Sequence, residues 1–177
     1  GKTNQWINVY LLGLYGSSMA GKPVYETSWS DDVHVADVEL KPIPGREVVI
    51  GFDFGLDPSA SIIQVTPLGQ VQVLDEFTSH GSGIKQFIEA ILMPVLSTKY
   101  KGCPITAVGD PAGNQRAQHD SEQTVFKELE RLGLPTEPCS TNDPKMRTEA
   151  VAHFLNQLAN GQPRFLLSKN CKMLRKG

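Results

Sequence analysis

No stretch of this sequence approaches the roughly 20 consecutive apolar residues that a helical membrane span requires, which excludes a transmembrane helix. Cysteine is scarce: Cys103, Cys139 and Cys171 are an odd count without metal-ligand spacing, which fits a reducing compartment and ordinary packing. No basic-apolar-small leader opens the residues given, and a soluble, intracellular protein is expected. Charge of either sign is nearly balanced, at −2 with His neutral, so no global excess of Lys and Arg points to a polyanionic partner. A local basic rim would be enough for one. Basic residues do gather late, at Arg164, Lys169, Lys172, Arg175 and Lys176. The four histidines, His34, His80, His119 and His153, share no spacing, and none is assigned as a ligand or base. There are no internal repeats and no low-complexity tracts.

What is present is an ordinary globular balance, 40% hydrophobic and 20% charged over 177 residues. That is enough for one domain with a sizeable core and an appended arm. Residues 1–45 differ from the rest. Ile7 to Leu14 reads as a strand, followed by a turn-rich segment containing Gly13, Gly16, Gly21 and Pro23. Val33 to Ala36 reads as another short strand. Pro42, Pro44 and Gly45 then mark a boundary, and the main domain is expected from residue 46 to residue 177. The glycine ends, the last amid basic residues, suggest cut ends of something longer, with the domain truncated at its C-terminus.

Beyond the boundary the pattern is regular. Strands are predicted at Val48 to Asp53, Ala60 to Thr66 and Gln70 to Phe77, joined by short turns as an antiparallel meander. Ile84, Phe87, Ile88, Ile91, Leu92, Val95 and Leu96 make one apolar helical face, which Pro94 should kink or shorten. Ile105 to Asp110 is a fourth strand. A helix from Ser121 to Leu132 is expected, capped by Asp120 and stopped by Gly133. Thr136 to Cys139 is a short strand. Asp143 should cap a third helix with Pro144 in its first turn and Val151, Phe154, Leu155 and Leu158 inward, ending at Gly161. Arg164 to Leu167 is a last strand. The fold class is α/β: a mixed sheet, meander first and then alternating helices and strands, with helices on both faces.

Two apolar strands end on a carboxylate, Val48 to Asp53 and Ile105 to Asp110. In a mixed sheet the first and fourth strands commonly lie side by side, which brings Asp53 and Asp110 together. Adjacent carboxylates repel unless a cation neutralises them. With Mg²⁺ or Mn²⁺, two ions about 4 Å apart, such a site suits phosphodiester hydrolysis. Asp57 is a possible further ligand, although an Asp-Pro turn is the other role open to it. Asn114, Gln115, Arg116 and Gln118 follow the second motif and are candidates to touch phosphates, with Lys172 and Arg175 from the basic cluster. Two other matches carry nothing. Gly16 to Pro23 has P-loop spacing but Pro23 replaces the metal-binding Ser or Thr. Asp53-Phe54-Gly55 spells a kinase metal motif with no catalytic loop or glycine-rich lid before it.

Gly51-Phe-Asp53-Phe-Gly55-Leu-Asp57-Pro58-Ser-Ala60, Gly109-Asp110-Pro-Ala-Gly-Asn114, and Arg147 through Leu158 followed by Cys171 together resemble the nuclease domain of the tailed-bacteriophage large terminase subunit. The early Gly21-Lys-Pro-Val-Tyr25 with His34-Val35 is similar to the stretch that joins the terminase ATPase to that domain. The resemblance implies an RNase H-like fold and metal-dependent cleavage of concatemeric double-stranded DNA, in the cytoplasm of an infected bacterium. It implies the terminase ATPase domain, small subunit and portal as partners, and no membrane. Asp53 and Asp110 match the first two of three metal-binding acids; the third is expected beyond Gly177. Asp120, Asp143 and Glu149 match no family motif. The alternatives are a non-catalytic DNA-binding or packaging-interaction module and, further off, an actin- or sugar-kinase-like ATPase fragment.

Overall fold

The computed structural model describes residues 24–55, 57–110 and 124–176. The predicted strand over 7–14, the segment 16–23, and Asn114, Gln115, Arg116, Gln118, His119 and Asp120 lie outside them. Among the described residues one sheet has six strands in the order β5-β4-β1-β2-β3-β8. Strands β1 (Val48–Asp53), β2 (Ser59–Val65) and β3 (Val71–Thr78) form the expected antiparallel meander. Strand β4 (Ile105–Gly109) runs parallel to β1, β5 (Thr136–Pro138) parallel to β4, and β8 (Phe165–Leu167) parallel to β3.

The β-branched run Val48-Val49-Ile50 explains why β1 is central, since its residues are buried on both faces. Val48, Ile50 and Phe52 join Ile62, Leu74 and Ala107 against Phe87, Ile88, Leu92, Leu96 and Leu129. Val49 joins Ile63, Val71, Val73 and Val108 against Val151, Phe154 and Leu155 on the other side. Each of the Val, Ile, Leu and Phe side chains among these stabilises the fold by roughly 1.5–3 kcal/mol when fully buried. The result is the three-layer mixed α/β architecture read from the sequence.

The apolar helical segment is continuous but changes its winding. It runs as α2 (Ile84–Phe87), a π-helical turn (Ile88–Leu92) and α3 (Met93–Thr98). Proline lacks an N–H and crowds the carbonyl one turn back. The wider turn, closed by Met93 N–H to Ile88 O, precedes Pro94 and accommodates it without ending the helix. Helix α4 (Val125–Arg131) is capped by Thr124, whose hydroxyl accepts from Lys127 N–H, not by Asp120. Helix α5 (Pro144–Leu155) has the predicted cap, with Asp143 accepting from Lys145 and Met146 N–H. Glu149 pairs with Lys145 at 3.8 Å on its surface.

Two further expectations fail. Helix α5 stops at Leu155, and Leu158 is 70% exposed rather than inward. Leu158–Ala159 and Gln162–Pro163 are instead a tiny hairpin, β6 and β7. Asn160 (φ 51) and Gly161 (φ 74) supply the two left-handed residues of its turn. The second correction is at Val33 to Ala36. Asp31–His34 is a helical turn, α1, with two acids in its first turn, where they favour the helix dipole. Only Val35 bridges a strand, next to Leu167. Buried His34 makes helix the better choice: its Nδ1 accepts from Ser30 N–H at 3.0 Å and its Nε2 donates to Leu155 O at 3.0 Å.

The described part of the arm is bonded along the sheet. Ala36 N–H donates to Leu167 O at 2.8 Å and Leu40 N–H to Ser168 Oγ at 2.8 Å. The side chain of Gln64, 1% exposed, bonds both the N–H and the O of Ile43 and the O of Arg46. A buried amide with all these partners is satisfied, and it holds the arm against β2.

A bulge between Ile62 and Ile63 leaves Leu74 of β3 without a pairing partner and sets Asp75 opposite Ile62. Asp75, 5% exposed, accepts from Lys99 Nζ at 2.8 Å, from the Tyr100 hydroxyl and from Asn170 Nδ2. Burial first, and then the bond to Asp75, push the Tyr100 hydroxyl well above the ordinary 10.0 of tyrosine. Burial alone would lower Lys99, but its bonds to Asp75 and Glu39 outweigh that and leave it raised. Groups with raised folded-state pKa values contribute fully below the unfolded value and lose that contribution as pH rises. Stability is therefore expected to fall above pH 10. In denaturant titrations at pH 8 and pH 11, Tyr100→Phe should lose less than the native chain; equal losses would contradict this linkage.

Candidate active site

Strands β1 and β4 are parallel, and Phe52 registers with Gly109. Asp53 and Asp110 are the residues that follow this last registered pair in sequence, at the carboxyl edge of the sheet. Asp53 is exposed and Asp110 half-buried. Asp53 Oδ1 accepts from Gly55 N–H at 3.2 Å, closing a local turn. Asp110 Oδ1 accepts from Asn142 Nδ2 at 3.0 Å.

Three aromatic rings support this edge. Phe54 stacks on Phe52 with centroids 5.6 Å apart and meets Phe126 edge-on at 5.5 Å. The space over Gly109 is what lets the Phe54 ring in: a Cβ there would lie 2.3 Å from Cε2 and 2.5 Å from Cζ. Gly109→Ala is expected to push the ring out of its stack, costing about 1–3 kcal/mol. The same substitution in a Phe54→Ala background should cost clearly less, since the clash is gone. A denaturation double-mutant cycle measures this, and additive losses would contradict the contact.

Asp57 belongs to a different set of bonds. Its Oδ1 accepts from Gly81 N–H at 2.8 Å and its Oδ2 lies 3.4 Å from His80 Nδ1. The Gly81 N–H first, then His80, hold its carboxyl below the usual carboxylate range. Both oxygens thus tie the β1–β2 turn to the chain leaving β3. The exposed Lys172 opens α6 (Lys172–Lys176), which packs beyond β3 through Met173 and Leu174 N–H to Glu76, at 2.6 and 2.7 Å. That is two strands from β1, about 10 Å across the sheet. Arg175 turns to Asp31, with N–O distances of 2.9 and 2.7 Å. Neither basic residue is brought beside the two acids. Asn114 and Arg116 lie outside the described residues.

Among the described residues no group of three or more His, Cys, Asp or Glu side chains is placed to hold a metal ion. Asn142 and the Phe54–Gly109 contact have no counterpart in the sequence reading. The Asn142 contact joins residues far apart along the chain and has no periodic signal. Gly109 shows in the sequence as part of the strand Ile105 to Asp110 and of the motif that follows it, with no sign of the ring packed against it.

The fold, a mixed sheet with helices on both faces, is consistent with an RNase H-like architecture and is similar to that of phage large terminase structures. The nuclease domain of the P22 large terminase matches over 90% of this chain and 78% of its own, with a TM-score of 0.62 at 9% identity. The large terminase of a thermophilic bacteriophage, in its ADP complex, matches over 93% of this chain with a TM-score of 0.67 at 15% identity. This chain spans 40% of that terminase's length. No protein-family model matches the sequence, and no curated protein sequence does.

Proposed function

We propose that this chain is the metal-dependent endonuclease part of a phage DNA-packaging terminase, cutting concatemeric double-stranded DNA by phosphodiester hydrolysis. The observation that supports the reading is the parallel β1–β4 register, whose last pair, Phe52 and Gly109, is followed in sequence by an acid on each side, Asp53 and Asp110, on a fold similar to that of a terminase nuclease domain. The donor set fits hard cations. Two carboxylates with solvent access are oxygen ligands suited to Mg²⁺ or Mn²⁺. Ions bound there would polarise the scissile phosphate and lower the pKa of an attacking water.

The chain's own contribution is positional. Asp53 and Asp110 would hold the ions, the Gly55 N–H and Asn142 amide orient their carboxylates, and the Phe54 ring over Gly109 keeps the two strand ends in register. A third carboxylate is assigned to none of the described residues. Lys172, and Asn114 and Arg116 from the segment after Asp110, are proposed to meet the DNA backbone, whose binding is dominated by such contacts. The ATPase domain, small subunit and portal of a packaging machine are the proposed partners.

Nicking of supercoiled plasmid with Mn²⁺ tests the proposal. Cleavage that depends on both Asp53 and Asp110 supports it. DNA binding without cleavage in any divalent metal would favour a non-catalytic packaging module, and ATP turnover by this chain would sink both readings.

A further inference from the structure

The geometry points to Asn142 as a positioning residue, whose side-chain amide fixes the plane of the Asp110 carboxylate for a divalent cation. This rests on the cation site proposed above. Asp110 directly follows β4. Asn142 donates to its carboxylate at 3.0 Å from the loop between β5 and α5.

That loop is built to present the amide in one orientation. Cys139 N–H donates to Gly109 O at 2.9 Å, extending the β4–β5 pairing up to the residue before Asp110. The buried Cys139 thiol lies 3.4 Å from Thr141 O and 3.9 Å from Asn142 Oδ1. Burial pushes this thiol up, so it keeps its proton and acts as a donor. With its oxygen toward the thiol, Asn142 turns its NH₂ toward the carboxylate, and the amide assignment follows from the network. Asp143 N–H donates to Thr141 Oγ1 at 3.1 Å, and the Asp143 side chain caps α5. The loop is thus anchored on both sides of Asn142 by bonds that do not involve its side chain.

The chemical choice is specific. A Lys or Arg here would neutralise Asp110 and compete with the cation. A neutral amide orients the carboxylate and leaves its charge intact. Partners of this kind, one step removed from the metal, typically alter metal affinity by about 10–100-fold.

The test is Mn²⁺ affinity, measured by electron paramagnetic resonance on the full 177-residue chain. Asn142→Ala is expected to raise the Mn²⁺ Kd by about 10–100-fold. Its thermal midpoint should stay near that of the native chain, because the Asp143 cap and the Cys139 bond remain. Asn142→Gln keeps the amide donor and should lie closer to the native chain than Asn142→Ala. A native-like Kd in Asn142→Ala, while Asp110→Asn loses binding, would overturn this role and leave the cation site standing. An unaltered Kd in Asp110→Asn as well would overturn both.

Discussion

Asp53→Asn and Asp110→Asn are each expected to lower Mn²⁺-dependent plasmid nicking by about 10³-fold or more. Loss of a ligand that places a Lewis acid on the phosphodiester removes several kcal/mol of transition-state stabilisation, and about 4 kcal/mol is a factor of 10³. Asparagine has nearly the same shape and keeps an oxygen for the Gly55 N–H or the Asn142 amide, so local structure is retained. Stability should move the other way. In the proposed two-acid site the carboxylates would repel without metal, and removing one charge would relieve that. Each variant is therefore expected to be as stable as the native chain or slightly more so without metal, and to gain nothing when Mn²⁺ is added. The native chain should gain stability with Mn²⁺ through linkage. Nicking that survives in either variant would contradict the assignment of both acids.

Asp75→Ala is expected to be the most damaging substitution away from the site. It leaves Lys99, the Tyr100 hydroxyl and Asn170 facing a cavity where a buried carboxylate had bonded all three. Removing one partner of a buried ion pair costs about 3–5 kcal/mol, against a total of about 5–15 kcal/mol for a typical domain. The bonds join β3, the end of the long helical segment and the chain after β8, so the loss should fall on all three together. Asp75→Asn keeps an acceptor for Tyr100 and should lose less. Chemical denaturation reads both; a loss under about 1 kcal/mol in Asp75→Ala would show that the network contributes little.

The parts legible in the sequence are those with a local cause. Strand β1 shows as a β-branched run, Asp143-Pro144 has the chemistry of a helix start, and the two strand-end acids announce a shared edge once β1 and β4 are neighbours. The mixed sheet and the terminase-like fold follow from these. The errors come where distant residues decide. Val33 to Ala36 has strand composition, but His34 finds its partners at Ser30 and at Leu155 far along the chain, and the turn becomes helical. Gly161 reads as a helix stop because Leu158 continues the apolar spacing. With Asn160 it is equally a hairpin turn, and the helix has already ended. At Pro94 a kink or a shortened helix is predicted, and the winding does change just before it, to a π-helical turn over Ile88–Leu92. Asp75 shows in the sequence only as a member of an alternating strand, and the bulge at Leu74 with the arrival of Tyr100, Lys99 and Asn170 explains its burial. In the site, the acids are visible and their supports, Asn142 and the Phe54 ring over Gly109, are not, since neither contact has a periodic signature.

The most direct test of the two-acid site is a Mn²⁺ titration followed by amide NMR of the full chain. Paramagnetic broadening should start at the amides around Asp53 and Asp110, spread outward from that sheet edge, and vanish in Asp53→Asn and Asp110→Asn. Broadening centred elsewhere, or unchanged in both variants, would contradict a cation site at the ends of β1 and β4.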